Sequence, residues 1–306
     1  MIGFGATAAA SVGVAGALEA AVGEPPARYH PVALVGRVIT RLEPRRFGAP
    51  RLAGTAYAVS VPIACALVAY GLVRAAGSLG ALPAAIAAGA VLWVASSLRM
   101  LLDSARSVVA ASDDDPEAAR GALCALVGRE TATLSPGLIR SAAVESLAEN
   151  LSDGLVAPLS AFVALSFLSL PAAAAGAALT KAVNTMDSML GYPGRFGWAS
   201  ARLDDLVMFV PARLSALLLS VAAGAPGAAV RARRRAREPA SPNAGWPMGS
   251  LATALGVELR KPGAYALNDA AALPSAAEAT EALAVTRRAG IAAYALGAAV
   301  GVLRWV

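Results

Sequence analysis

The sequence predicts an all-α fold: a polytopic integral membrane helical bundle with short or broken helices and cytoplasmic polar loops. Three observations predict it. Only 15% of the 306 residues are charged, where a soluble globular domain carries about a quarter. Hydrophobic residues make up 57% of the chain and mean hydropathy is +0.61. The apolar residues also gather in runs that approach the ~20 residues a spanning helix needs.

Those runs lie at roughly 2–22, 53–73, 79–102, 155–170, 171–190, 206–228 and 289–306. They imply about five to eight spans in a single membrane-embedded domain over residues 1–306, with the longest soluble stretch at about 229–288. Several runs are rich in Ala and Gly, and small side chains let membrane helices approach closely. Pro158, Pro171 and Pro211 should kink or break their helices, which is tolerated where the freed backbone groups lie within protein. We read 155–190 as a hairpin broken at Pro171 rather than one span, because both polar ends then face the same side. The run at 206–228 is read as re-entrant or interfacial.

The first run contains GFGATA, a match to GxGxxA, but no strand precedes it and a dinucleotide reading is weak. It lacks a basic leading region and reads as a retained helix. Basic residues crowd 23–51 and 229–240, which the positive-inside rule assigns to the cytoplasm. The stretch DDDPEAAR, 113–120, reads as a helix start, with acidic residues before Pro116 at the positive end of the helix dipole.

The net charge of +6 comes without a basic stripe interleaved with aromatics, so nucleic acid is a poor partner. It suits membrane lipids of an anionic leaflet. Cys65 and Cys124 form no CxxC pair, which argues against a disulfide framework or a thiolate metal site. A single histidine, His30, excludes HExxH-type zinc chemistry, and no P-loop occurs.

Five stretches carry the candidate chemistry. In ESLAENLSDG, Glu145, Glu149 and Asp153 are spaced four apart, within roughly 80° of one another on a helix. Like charges so placed repel, and Mg²⁺, which favours carboxylate oxygens and retains waters, would relieve that repulsion. Asn150 offers a neutral donor set beside them. A hydrated acidic helix end is the plain alternative. In TKAVNTMDSM, Thr180, Lys181, Asn184, Asp187 and Ser188 share an arc of about 120° opposite Val183, Met186 and Leu190. Ionisable residues at membrane depth usually face a cavity, although a lysine can also snorkel to the interface.

In GYPGRFGWASARLDDLVMFVPAR, Arg202 and Asp205 either pair at i,i+3 or divide the work, the arginine on phosphate and an aspartate, Asp204 or Asp205, on metal. In YHPVALVGR, His30 is held extended before Pro31, and Arg37 follows an apolar run. In SPNAGWP, Ser241 and Asn243 sit in a turn where they can bond a polar ligand.

The ordered series HPVALVGRVI, VESLAENLSDGLVAPL, KAVNTMDSMLGY, FGWASARLDDL, PARL and SPNAGWPM resembles the adenosylcobinamide-phosphate synthase family, called CobD or CbiB according to pathway. The resemblance runs from about residue 19 to at least 265. It implies a multi-pass protein of the bacterial inner membrane with a cytoplasmic active face, working in cobalamin biosynthesis. The implied reaction is an ATP-dependent, ADP-forming amide ligation. The f side-chain carboxylate of adenosylcobyric acid, a corrinoid, is joined to (R)-1-aminopropan-2-ol or its O-phosphate, with Mg²⁺ as cofactor and ATP as co-substrate.

On that resemblance Glu145, Glu149, Asp153, Lys181 and Asp187 are the catalytic candidates. His30, Arg37, Asn150, Asn184, Arg202, Asp204, Ser241 and Asn243 are the substrate or nucleotide candidates. Glu145, Glu149, Asp153 and Asp205 are the metal candidates. Other late corrinoid-pathway enzymes and further copies of the chain are the implied protein partners. Two departures stand out: Gly23-Glu24-Pro25 where the family often has Gly-Asp-Pro, and Arg129-Glu130-Thr131 where it often has Arg-Asp-Thr. They weaken Glu24 and Glu130 as site residues. From the residues alone an enzyme and a transporter fit about equally, since broken helices with polar faces also mark transporter sites. A non-catalytic assembly factor is a third reading, and the order of the motifs favours the enzyme.

Overall fold

The computed structural model describes residues 4–41, 51–128, 130–191 and 194–303. Arg45, Arg46, Arg129 and Pro193, all singled out in the sequence, lie outside the described residues. Among the described residues the fold is helical apart from one small hairpin. In chain order the helices are α1 (Phe4–Ala21), α2 (Pro31–Arg41), α3 (Arg51–Gly77), α4 (Ala81–Ala95), α5 (Leu98–Ala111), α6 (Pro116–Leu123) and α7 (Pro136–Leu151). A π turn, Ser152–Val156, joins α7 to α8 (Ala157–Ser166). There follow α9 (Leu170–Leu190), α10 (Trp198–Val207), α11 (Phe209–Ala222), α12 (Ala228–Ala232) and α13 (Gly245–Leu255). Strands β1 (Leu259–Lys261) and β2 (Tyr265–Leu267) precede α14 (Ala276–Leu303).

Two helical runs among the described residues are long and apolar enough to cross a membrane, Arg51–Gly77 and Ala81–Ala111. A third qualifies if Trp198–Val207 and Phe209–Ala222 together make one broken span. By length and composition these are fewer helices than the seven apolar runs of the sequence. Helix α8 has 10 residues, about 15 Å at 1.5 Å per residue, half of the ~30 Å hydrocarbon core. In α9 the polar arc around Lys181 lowers the apolar content, and the first half of α14 carries Glu278, Glu281, Arg287 and Arg288.

Several boundaries follow from local chemistry. The Asp115 carboxylate caps α6 by accepting from the Ala118 amide at 3.1 Å, with Pro116 in the first turn. Ser169 caps α9 by accepting from the Ala172 amide at 3.2 Å, with Pro171 in the first turn. The α8–α9 pair is thus the hairpin broken at Pro171 that the sequence implied, and the two helices pack on each other.

The chain divides into two compact units. The first comprises residues 1–97, 153–208 and 293–306. Helix α9 is its hub, packed against α3, α4, α8, α10 and α2, while α1 packs on α4. The close approach of α1 to α4 depends on Gly89: a Cβ there would stand 2.7 Å from both the Ser11 carbonyl oxygen and Val14 Cβ. The break between α4 and α5 is tied to the π turn, the Ser97 amide donating to the Gly154 carbonyl at 2.9 Å.

The second unit comprises residues 98–152 and 209–292. Helix α7 forms its centre, buried along Ile139, Ser141–Ala148 and Leu151, and contacts α5, α6, α13 and β1. The segment 229–288, read from sequence as a soluble stretch, is ordered into α12, α13, the hairpin and the start of α14. The hairpin pairs Leu259 with Leu267 and Lys261 with Tyr265. It turns at Lys261-Pro262-Gly263, Gly263 taking φ +75°.

Candidate functional site

In the first unit the loop from α1 to α2 is a built structure. The amides of Val22 and Gly23 both donate to the Leu18 carbonyl, at 2.8 and 3.2 Å. Gly23 closes the helix at φ +72°, a conformation that favours glycine. The Trp93 indole Nε1 donates to the Gly23 carbonyl at 2.8 Å. The Pro26 carbonyl accepts from the Tyr29 and His30 amides, and Arg37 spends its guanidinium on the carbonyls of Ala27 and Arg28, at 3.4 and 3.2 Å. Arg37, a binding candidate from sequence, therefore braces the loop.

The loop delivers Glu24 and His30 to Lys181. The carboxylates whose fields act on Lys181 are, in order, Glu24, Asp153 and Glu19. Asn184, one turn along α9, donates its Nδ2 to Asp153 Oδ2 at 3.2 Å. His30 is buried, with 7% of its surface exposed, and its Nε2 lies 3.6 Å from Glu24 Oε2. Its Nδ1 accepts from the Val32 amide at 3.2 Å. Burial holds the Glu24 carboxyl above the usual range, with Glu19 adding to the effect and Lys181 opposing it. Burial, and then the Lys181 charge, hold the His30 imidazole below its ordinary value of 6.5.

The His30 shift fixes a pH dependence. A histidine whose folded pKa is depressed contributes stability above 6.5, lost as pH falls through the folded value. Glu24, with a raised folded pKa, contributes below 4.5 and loses that contribution as pH rises through its folded value. His30→Gln should therefore flatten the loss of thermal stability below about pH 6.5, read as melting temperature in detergent against pH. An unchanged slope would refute the assignment.

The same unit holds Asp187 on α9 and Asp205 on α10, whose carboxylates act on each other. Arg202 settles into the plain alternative, donating to Asp205 at 2.9 Å with its own side chain largely exposed. Asp204 is buried on α10. Lys181 also lines an apolar cavity of about 440 Å³ between α2, α3, α4 and α9.

In the second unit Glu145 is 5% exposed. Its Oε1 accepts from Ser141 Oγ at 2.9 Å and its Oε2 from the Tyr265 hydroxyl at 2.7 Å. Ser141 in turn accepts from the Arg260 amide at 2.8 Å, so the carboxylate docks the hairpin on α7. Glu149 is half-buried near the end of α7, and Asn150 donates to the Ser146 carbonyl at 3.0 Å. Ser241 accepts from the Asn243 and Ala244 amides at the start of α13. Asn243 Oδ1 accepts from Arg213 at 2.5 Å, and the Arg213 guanidinium lies over the Phe209 and Trp246 rings.

The sequence candidates thus divide. His30, Asp153, Lys181 and Asn184 come together in the first unit, joined by Glu24 and Glu19. Asp187, Arg202 and Asp205 form a second group there. Glu145, Glu149, Asn150, Ser241 and Asn243 belong to the second unit. The four-residue spacing that grouped Glu145, Glu149 and Asp153 assumed one continuous α-helix, but α-helical periodicity ends at Ser152, where the π turn starts. Single-turn π segments recur at functional sites.

Among the described residues no group of three or more His, Cys, Asp or Glu is gathered to hold a metal. Mg²⁺ commonly uses only one or two protein carboxylates and completes its shell with water and substrate phosphate. Asp187 and Asp205 offer two such carboxylates in one unit, the Asp205 charge acting on Asp187 while Asp205 Oδ2 accepts from Arg202. Glu145, with both oxygens accepting hydrogen bonds, does not fit that donor set. Sequence reasoning missed Glu19 and discounted Glu24. The signal for Glu24 was its place between the helix-ending Gly23 and the His30-Pro31 motif.

Known proteins resemble the chain over most of its length. The CobD/Cbib protein family matches residues 12–292. A probable cobalamin biosynthesis protein CobD of Methanothrix thermoacetophila is 35% identical over 299 residues, covering 92% of this chain and 93% of the relative. The cobalamin biosynthesis protein CobD of Rhodobacter capsulatus is 38% identical over 308 residues, with the same coverage of 92% and 93%. That of Mycobacterium tuberculosis is 41% identical over 255 residues, covering 78% and 77%. No solved structure matches the chain. With its family motifs in order and its helices apolar enough to cross a membrane, the chain belongs to the CobD/CbiB family of membrane proteins.

Proposed function

We propose that the chain acts in cobalamin biosynthesis as an adenosylcobinamide-phosphate synthase, an ADP-forming amide ligase of the bacterial inner membrane with its active face to the cytoplasm. The observation that carries the reading is the meeting of Lys181, Asn184, Asp153, Glu24 and His30 in one unit of a chain from this family.

Amide formation from a carboxylate needs activation. The γ-phosphoryl group of ATP passes to the f side-chain carboxylate of adenosylcobyric acid and ADP leaves. The amine nitrogen of 1-aminopropan-2-ol, or of its O-phosphate, then attacks the acyl carbon, the carbon–oxygen bond to phosphate breaks, and inorganic phosphate departs. A bound Mg²⁺, held by Asp187 and Asp205, would neutralise phosphate charge as the phosphoryl group moves. Glu24 accepts the proton that the attacking amine gives up, since burial raises its proton affinity. Lys181 supplies fixed positive charge for the developing oxyanion. His30 and Asn184 hold Glu24 and Asp153 in place.

The deciding assay uses purified protein in detergent with adenosylcobyric acid, Mg-ATP and either amine, the corrinoid product being identified by mass. A new amide with stoichiometric ADP is expected; corrinoid recovered unchanged would refute the activity.

A further inference from the structure

The cavity walled by α2, α3, α4 and α9 has a volume of about 440 Å³. Its lining is apolar apart from Cys65, Lys181 and Thr185. The Thr185 hydroxyl is spent within α9, donating to the Lys181 carbonyl at 2.8 Å. The Lys181 ammonium stands in the fields of Glu24, Asp153 and Glu19. A buried water needs several polar partners, whereas apolar cavities of about 150 Å³ stay dry and take up apolar guests. This cavity exceeds that size and offers little to hold water.

Its position names the guest. Helices α3 and α4 belong to the two runs long and apolar enough to cross a membrane. Val68 and Leu72 of α3 line the cavity and are also 73% and 54% exposed. The mouth therefore opens along α3, and a spanning helix is surrounded by hydrocarbon. We infer that the cavity binds one acyl chain of a bilayer phospholipid, entering past Val68 and Leu72 and lying against Ala178 and Ala182 of α9. Apolar contact holds the chain. The one charge on the wall is answered by carboxylates of the protein, so binding is indifferent to the charge of the head group. A filled cavity also keeps water from the apolar flank of Lys181. The site is independent of the ligation chemistry.

The test uses the full chain in nanodiscs of phosphatidylcholine, a small share of it carrying a diazirine in one acyl chain. Illumination labels the residues that touch the chain, and mass spectrometry maps them. Leu67, exposed on α3 and outside the cavity wall, should be labelled by the surrounding bilayer. Ala182, 5% exposed, should be labelled as well, because a chain inside the cavity reaches it. Ala90→Phe and Val94→Phe, each filling the cavity from α4, should lose the label on Ala182 and keep that on Leu67. Melting temperature in detergent should hold or rise in both, as cavity filling commonly stabilises. If one variant fails to melt cooperatively, the other and the unaltered protein decide. Phosphatidylglycerol in place of phosphatidylcholine should leave the pattern unchanged. Leu67 labelled without Ala182 in the unaltered protein would overturn the inference, as would Ala182 still labelled in both filled variants. A label on Ala182 that appears only with phosphatidylglycerol would do the same. So would alkylation of Cys65 by a water-soluble maleimide as fast as that of the exposed Cys124, since the cavity would then hold water.

Discussion

Lys181→Met is expected to lower the rate of amide formation about 10²–10³-fold, the scale of losing one preorganised electrostatic group. The substitution also leaves Glu24, Asp153 and Glu19 without the ammonium that acts on all three. Removing one partner of a buried ion group typically costs about 3–5 kcal/mol, so a drop in melting temperature should accompany the loss of rate. The two effects separate with Lys181→Arg. Its charge is retained, and stability should largely return. The planar guanidinium does not reproduce a compact ammonium, and the rate should stay low. Initial rates per folded molecule and thermal melts in detergent decide it. Full activity in Lys181→Met would remove the lysine from the site.

Glu145→Ala is expected to destabilise the protein by about 3 kcal/mol, two hydrogen bonds to a charged group at roughly 1.5 kcal/mol each, and to leave the Mg²⁺ requirement of the surviving molecules unchanged. The carboxylate accepts from Ser141 and Tyr265, and Ser141 accepts from the Arg260 amide. Truncation therefore removes the acceptor of the buried Ser141 hydroxyl and of the half-buried Tyr265 hydroxyl and loosens the hairpin from α7. Tyr265→Phe should cost about half as much, having one such bond to lose. The measurements are chemical denaturation and the Mg²⁺ concentration giving half-maximal rate. If Glu145→Ala raised that concentration tenfold with stability intact, the carboxylate would be a metal ligand after all.

These two residues show what a sequence makes legible. Lys181 could be found because its neighbours on α9 form a polar arc within one helix, and a helical period is visible in a single stretch. The acidic run before Pro116 announced a helix start for the same reason: the Asp115 cap and the amide it satisfies lie three residues apart. Glu145 misled because its partner, Tyr265, lies 120 residues further on, and periodicity carries no information about contacts at that distance. Spacing alone made Glu145, Glu149 and Asp153 one stripe. It had no means of registering the π turn at Ser152–Val156, where the period changes. Glu19 sits in an apolar helix with nothing nearby in sequence to mark it. The family motifs were legible throughout, and so was the membrane character. The number of spans was not, because a run such as 155–170 has the composition of a span without the length of one.

The first unit is assembled from three separated pieces of chain, residues 1–97, 153–208 and 293–306. A ribosome delivers them in that order, N-terminal elements first. Helices α1 to α4 are therefore synthesised, with Glu19 and Glu24 among them, long before α9 brings the lysine that answers their charge and the surface on which α3 and α4 pack. During that interval the nascent chain holds half-made helix contacts and acidic side chains still awaiting Lys181. The cluster can therefore form only once α9, from the middle of the chain, has followed α1 to α4.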